Sequence, residues 1–250
     1  MTNGTINKEI SNKICTITFH HPKGNSMPGE LLAKLSEEID SAGKNEELKC
    51  IILASAGDKA FCAGASFDEL IEIKNLEDGT KFFSGFANVI NSIRKCPKFV
   101  IGRVHNKVIG GGIGLVAACD YAFALTSVKI RLSEYSVGIG PFVIAPAIVR
   151  KMGVSALSQM SIDTDWYSAE WAKKKGLFNK LFDTPIEMDI ALNNLCDKIS
   201  KSSMDAMIEL KKLFWEGTEH WDTDLTDKAK ISGKLVLTDY AKDLLKEFKK

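Results

Sequence analysis

Strand-like and helix-like patterns alternate along the first two thirds of the chain, and beyond about residue 145 the strand-like ones stop. KICTITFHHP reads as a strand ending at Pro22. In NSMPGELLAKLSEEIDSAGKN, Leu31, Leu35 and Ile39 recur every fourth residue, the spacing of one helix face. Ser26 is placed to cap that helix, and Pro28 suits its first turn. KCIILASAG reads as a buried strand. GTKFFSGFANVINSIRKCP predicts a second helix, with Phe82, Phe86, Val89, Ile90 and Ile93 on one face and Pro97 beyond its end. KFVIGRVHNKVI follows as two short strands or one bent strand, then a glycine run, a short helix through Cys119, and strands near DYAFAL and VKIRLSE. From APAIVRKMG onward the segments read as helices, with LFNKLFD the one late strand candidate and Phe214 and Trp215 as packing residues. No linker rich in Pro, Gly or Ser intervenes. The expectation is one folding unit, with an α/β core over 1–190 and a helical extension over 191–250.

Residues 107–120, KVIGGGIGLVAACD, place Gly110, Gly111, Gly112 and Gly114 within five positions. Glycine gives up the most backbone freedom on folding, so this density calls for a role of the bare backbone. GIGLVA, residues 112–117, imitates a dinucleotide fingerprint, and Glu134 follows Gly114 by 20 residues. The spacing fails: the helix has only about eight residues before Asp120, too few for a crossover, and two strand candidates precede Glu134. A second use fits better. A helix N-terminus leaves N–H groups unpaired and partly positive, and glycines there let an oxygen approach them. KAFCAGASFDEL, residues 59–70, leaves its strand in the same way, through Ala63, Gly64 and Ala65 into a helix. Two such turns can aim two donors at one oxygen, of a phosphate or of a carbonyl becoming an oxyanion.

Charge narrows the partners. The 250 residues carry a net charge of +1, with 45% apolar and 26% charged residues, ordinary globular composition that argues against nucleic acid or an anionic membrane as partner. Ten lysines in the last fifty residues face ten acidic residues, a solvated helical surface rather than a basic tail. No run reaches the ~18 uncharged apolar residues of a spanning helix, and MTNGTINKEI lacks the apolar centre of a secretory leader. The six cysteines, at 15, 50, 62, 96, 119 and 196, show no C-x-x-C pair and read as reduced core thiols in a cytoplasmic protein. His20, His21, His105 and His220 show no metal-ligand spacing, so no metal is expected.

AFCAGASFDEL, then CPKFVIGRVHNKVIGGGIGLVAACDYAFA, then KIRLSEYSVGIGP resemble the enoyl-CoA hydratase/isomerase (crotonase) superfamily. HHPKGNSM before them and YSAEWAKKKGLFNKLFD after them extend the resemblance over about residues 10–185, and its nearest look is to bacterial methylglutaconyl-CoA hydratase-like members. The resemblance implies an α/β fold, a crotonase-type spiral of repeated ββα units with an α-helical C-terminal trimerisation region, the trimers commonly pairing into hexamers. It implies an acyl-CoA or acyl-carrier thioester substrate, CoA entering as part of it, with no metal or redox cofactor. The two oxyanion donors fall on the backbone N–H groups of Ala65 and Gly111, and the acid–base carboxylate on Glu134. Substrate contacts fall on Lys23, Ala63, Ser66, Phe67, Asp68, Gly110 and Phe142.

Two departures stand out against that pattern. Hydratases of the family often carry a further glutamate two residues after the glycine triplet, where this chain has Gly114. Asp68 or Glu69 could supply a substitute, although Glu69 is expected to face solvent on its helix; Asp120 is expected to end or cap the helix before it. After Glu134, GPFVIAP stands where a glycine-rich turn is common, so Phe142, Val143 and Ile144 should form an apolar wall. A carboxylate beside such a wall should have a raised pKa, which suits proton transfer. Reversible hydration of an enoyl-CoA is the first reading, with a branched substrate such as 3-methylglutaconyl-CoA as an example. Double-bond isomerisation, decarboxylation of a glutaconyl thioester, and a non-catalytic acyl-CoA-binding scaffold are the alternatives.

Overall fold

Strands β1 (Thr5–Ser11) and β2 (Ile14–His20) form an antiparallel hairpin in a computed structural model that describes residues 4–247. Asn12 and Lys13 join them with φ of 49° and 64°, the two-residue turn whose twist matches that of the strands. The remaining elements, in chain order, are α1 (Gly29–Lys44), β3 (Cys50–Ser55), α2 (Phe67–Ile71), α3 (Leu76–Lys95), β4 (Phe99–Val104), β5 (Val108–Ile109) and α4 (Gly111–Ala118). Then come β6 (Tyr121–Leu125), β7 (Lys129–Arg131), a 3-10 turn over Tyr135–Val137, α5 (Ala145–Met152), α6 (Val154–Ile162), β8 (Tyr167–Ser168) and α7 (Ala169–Lys174). The chain closes with β9 (Lys180–Phe182), α8 (Pro185–Ser200), α9 (Met204–Phe214), α10 (Trp221–Leu235) and α11 (Asp239–Glu247).

The main sheet has the order β1-β2-β3-β4-β6-β9 and is parallel from β2 onward. Every residue of β3 is buried, as its continuous apolar run requires of a central parallel strand. Leu31, Leu35 and Ile39 of α1 and Phe82, Phe86, Val89, Ile90 and Ile93 of α3 are buried in the same core. KFVIGRVHNKVI forms two strands in different sheets: β4 stays in the main sheet, and β5 joins a small one of order β5-β7-β8. Two strands lie outside the sequence-based expectation. In β1 only Ile6 is even partly buried, so no apolar pattern marks it, and its ladder with β2 holds it as a polar edge. β8 is two residues long and pairs antiparallel with β7, so LFNKLFD is not the one late strand.

Three local assignments change. Pro28 lies at the N-cap of α1, just before its first turn, and Ser26 does not cap the helix: its Oγ sits 3.0 Å from His21 Nδ1. Glu69 takes over, its Oε2 accepting from Gly29 N at 2.8 Å, so Glu69 is half-buried rather than turned to solvent. The helix α4 does end just before Asp120, but Asp120 follows its C-cap and does not cap it. Its Oδ2 accepts from Val100 N (2.8 Å) and Lys211 Nζ (2.5 Å), and its Oδ1 from Trp215 Nε1 (3.3 Å), tying α9 to the sheet. Trp215 is buried under the Arg150 guanidinium, 3.8 Å from the ring centroid, while the half-exposed Phe214 stacks on Phe99.

A boundary at 190/191 would cut α8, and the helices beyond it are part of the core: a Cβ on Gly79 of α3 would lie 2.8 Å from Gly233 Cα of α10. The outermost residues of both spans, 1–3 and 248–250, lie outside the described residues. Among the described residues no helix is long and apolar enough to cross a membrane.

Candidate active site

Two segments run side by side at the β5 edge of the small sheet. Phe61 N donates to Lys107 O and Ile109 N to Cys62 O, both at 2.9 Å, around a parallel bridge between Cys62 and Val108. On the other flank, Met27 N donates to Gly64 O (2.8 Å) and Ser66 N to Met27 O (3.3 Å). In a parallel bridge of this kind the intervening residue, Ala65, turns its own N–H away from Met27. Gly111 opens α4, where N–H groups have no intrahelical partner. Neither the Ala65 N–H nor the Gly111 N–H donates to any described residue. Gly110, with φ of 52° and ψ of −123°, makes the turn between β5 and α4, a conformation that favours glycine. A side chain there would also meet Glu134 Oε1 at 2.7 Å.

Both turns open onto one cavity of about 640 Å³, its mouth and the adjoining solvent included. Phe83 and Phe86 of α3 form one wall and the stretch Ile139–Ile144 the other. Glu134, the residue before the 3-10 turn, projects between them; its Oε2 is shielded from solvent and has no partner among the described residues. Burial pushes the Glu134 carboxyl from its ordinary 4.5 up to about 7, although the backbone N–H groups of Glu134 and Ser133 favour the charged form. Among the described residues no Lys, Arg or His lines the cavity, and Glu134 is the one ionisable wall residue. The apolar wall expected from GPFVIAP is present, and it explains Gly114: a Cβ there would lie 2.4 Å from Ile144 Cγ2. Ile144 fills the room that a side chain at 114 would need.

Of the residues singled out from sequence, Ala63, Ala65, Phe67, Gly110, Gly111, Glu134 and Phe142 line this cavity together. Ser66, Lys23 and Asp68 do not. Ser66 is buried and caps α2, its Oγ accepting from Glu69 N at 3.4 Å. Lys23 and Asp68 pair with each other outside the cavity, both side chains half-exposed. Asp68 therefore does not put a second carboxylate into the cavity. Sequence reasoning missed Phe83, Phe86 and Ser232 as wall residues. Phe86 is visible as part of an apolar helix face, but only as core; Ser232 has no local signal, since α10 reaches the cavity through its packing on α3.

Two unpartnered N–H donors, a bare backbone and a carboxyl with one unpartnered oxygen in an apolar slot form a site for a carbonyl compound whose neighbouring carbon exchanges a proton. The sequence signature described as Enoyl-CoA hydratase/isomerase matches residues 9–242. The chain belongs to the enoyl-CoA hydratase/isomerase family. Among relatives, it is 26% identical over 243 residues to the short-chain-enoyl-CoA hydratase of Clostridium acetobutylicum, covering 96% of this chain and 92% of that one. It is 29% identical over 174 residues to the mitochondrial methylglutaconyl-CoA hydratase of Mus musculus, covering 69% and 55%. The crystal structure of enoyl-CoA hydratase from Bacillus halodurans superposes with a TM-score of 0.89 at 21% identity, covering 97% of this chain and 99% of that one. The α/β fold is thus the family's fold, and the chain is an enoyl-CoA hydratase/isomerase family enzyme.

Proposed function

We propose that the cavity binds an enoyl thioester and adds water reversibly across its double bond. The observation that carries this is the unpartnered Glu134 Oε2 facing the same cavity as the unpartnered N–H groups of Ala65 and Gly111. The thioester oxygen accepts from both N–H groups. Ionised Glu134 takes a proton from water as the water oxygen bonds to Cβ, and the electron pair of the double bond moves onto the thioester as an enolate. The two N–H groups hold that charge, and Glu134 returns the proton to Cα. A carboxyl with a pKa of about 7 suits both halves of this shuttle near neutral pH. The reaction calls on no metal or redox cofactor. The name of the Clostridium acetobutylicum relative, which matches nearly the whole chain, supports the same reading.

The acyl group is uncharged in this reading. A glutaconyl or methylglutaconyl carboxylate would meet no cation among the described wall residues, and burying an unpaired carboxylate is costly. One observation favours a second reaction at the same site: Ile144 occupies the space behind the oxyanion turn, leaving one carboxylate, and one base suffices to move a double bond. Incubation with 2-enoyl-, 3-enoyl- and glutaconyl-CoA, followed by mass spectrometry, separates the possibilities. A mass gain of one water on the 2-enoyl substrate is expected; a shifted double bond without mass change, or loss of CO₂, would replace hydration. Binding without turnover of any of them would make the protein an acyl-CoA-binding scaffold.

Copies of the chain associate, in this reading, as a trimer or a pair of trimers through the helical third. Ile186, Ile190, Leu210 and Leu213 there are exposed apolar side chains. Light scattering at micromolar concentration tests it, and a stable monomer would refute it.

A further inference from the structure

Ser232 is 1% exposed, lies in the last turn of α10 and borders the cavity, and its hydroxyl is not among the side-chain donors that hydrogen-bond a described residue. A helical serine or threonine commonly returns its hydroxyl to a carbonyl one turn earlier. Thr226 does so in the same helix, its Oγ1 donating to Asp222 O at 2.9 Å. The Ser232 Oγ is not one of the oxygens sealed away without a partner, so it is open to a partner in the cavity it borders.

The position of Ser232 along the cavity follows from α3. Near its start, Gly79 touches Gly233, the neighbour of Ser232; two turns later, Phe86 packs on Gly111, where a Cβ would lie 2.3 Å from Phe86 Cε1. The step from Gly79 to Phe86 is seven residues, ~10 Å of helix rise. Ser232 therefore lies at the far end of the cavity from the oxyanion turns, and the wall between them is almost wholly apolar.

We propose that Ser232 selects thioesters whose acyl chain carries an uncharged hydrogen-bonding atom, a hydroxyl or keto oxygen, several carbons beyond the thioester carbonyl. The proposal rests on the cavity being an acyl-thioester site. No described wall residue is a cation, which makes a terminal carboxylate a poor occupant of that end, and the apolar stretch before Ser232 holds the intervening methylenes.

The test is calorimetric binding to the full chain of three saturated thioesters, which hydration cannot consume: octanoyl-CoA, 8-hydroxyoctanoyl-CoA and the CoA monothioester of octanedioic acid. One added hydrogen bond should make the hydroxy compound bind about three- to tenfold tighter than octanoyl-CoA. The dicarboxylic compound should bind more weakly than both. Ser232→Ala, which suits a helix interior, should keep octanoyl-CoA binding and abolish the preference for the hydroxy compound. Equal binding of the octanoyl and hydroxy compounds, or a preference that survives Ser232→Ala, would overturn the proposal while leaving the thioester site intact. Failure of all three to bind would refute the thioester site and this role with it.

Discussion

Asp120 and Glu134 are both carboxylates withdrawn from solvent, fourteen residues apart, and their surroundings are opposite. Asp120 receives an ammonium, an indole N–H and a backbone N–H. Glu134 has a shielded oxygen with no partner and walls of isoleucine, valine and phenylalanine. The first arrangement makes the carboxylate a structural tie, because three partners hold it in one position. The second leaves the proton loosely held and aimed at whatever enters the cavity. Burial of an acid is therefore no sign of chemistry by itself; burial without partners, beside a cavity, is.

Substitution of the two side chains should separate these roles. Glu134→Gln is expected to lower kcat by ~10²–10⁴ while leaving the melting temperature unchanged or higher, since an unpaired acid is replaced by a neutral amide. Activity within a few-fold of the parent would remove Glu134 from the mechanism. Asp120→Ala should do the reverse. It leaves Lys211 charged and 3% exposed, so a loss of ~3–5 kcal/mol in urea unfolding is expected, with kcat per folded molecule nearly unchanged. Adding Lys211→Met should restore most of that loss.

The backbone half of the site comes next in size. Ala65→Pro deletes one N–H, and Ala65→Ser keeps it; if both fold, the proline variant should lose ~2.7–4 kcal/mol of transition-state stabilisation relative to the serine variant. Equal rates would exclude that N–H as a donor.

Titration probes Glu134 in two ways. As a base it must be ionised, so kcat/KM should fall about tenfold per pH unit below about 7 and level off above it. Stability should run the other way. Between pH 4.5 and about 7 the folded protein keeps the Glu134 proton and the unfolded chain does not. This contribution is full below 4.5, declines with rising pH, and is spent above about 7, about 3 kcal/mol in all. Glu134→Gln should erase both trends. The smallest effect belongs to Asp68: it pairs with Lys23 at the surface, so Asp68→Asn should change stability by less than about 1 kcal/mol and leave the ratio of hydrated to isomerised product unchanged.

Much of this site is readable along the chain. The two small-residue turns, Glu134 and the apolar GPFVIAP stretch announce themselves through local composition, because glycine density and an apolar run are properties of consecutive residues. Glu69, Asp120 and Ser232 are not readable in that way. Each owes its role to a partner distant in sequence: Gly29 for Glu69, Lys211 and Trp215 for Asp120, and α3 for Ser232. β1 escaped for a related reason, since a polar edge strand is held by its neighbour's ladder rather than by a buried face.

The sequence by itself determined the family, the alternation of strands and helices, and which residues can offer bare N–H groups and a carboxylate. Those follow from local propensity and from side-chain chemistry, which belong to the chain whatever its shape. The fold alone decided that Gly114 faces Ile144, that Asp68 turns to Lys23 and not to the cavity, and that a helix more than a hundred residues after the glycines closes its far end. Burial, the absence of a hydrogen-bond partner and a shifted pKa are relations between elements, and they come into being only when the elements pack.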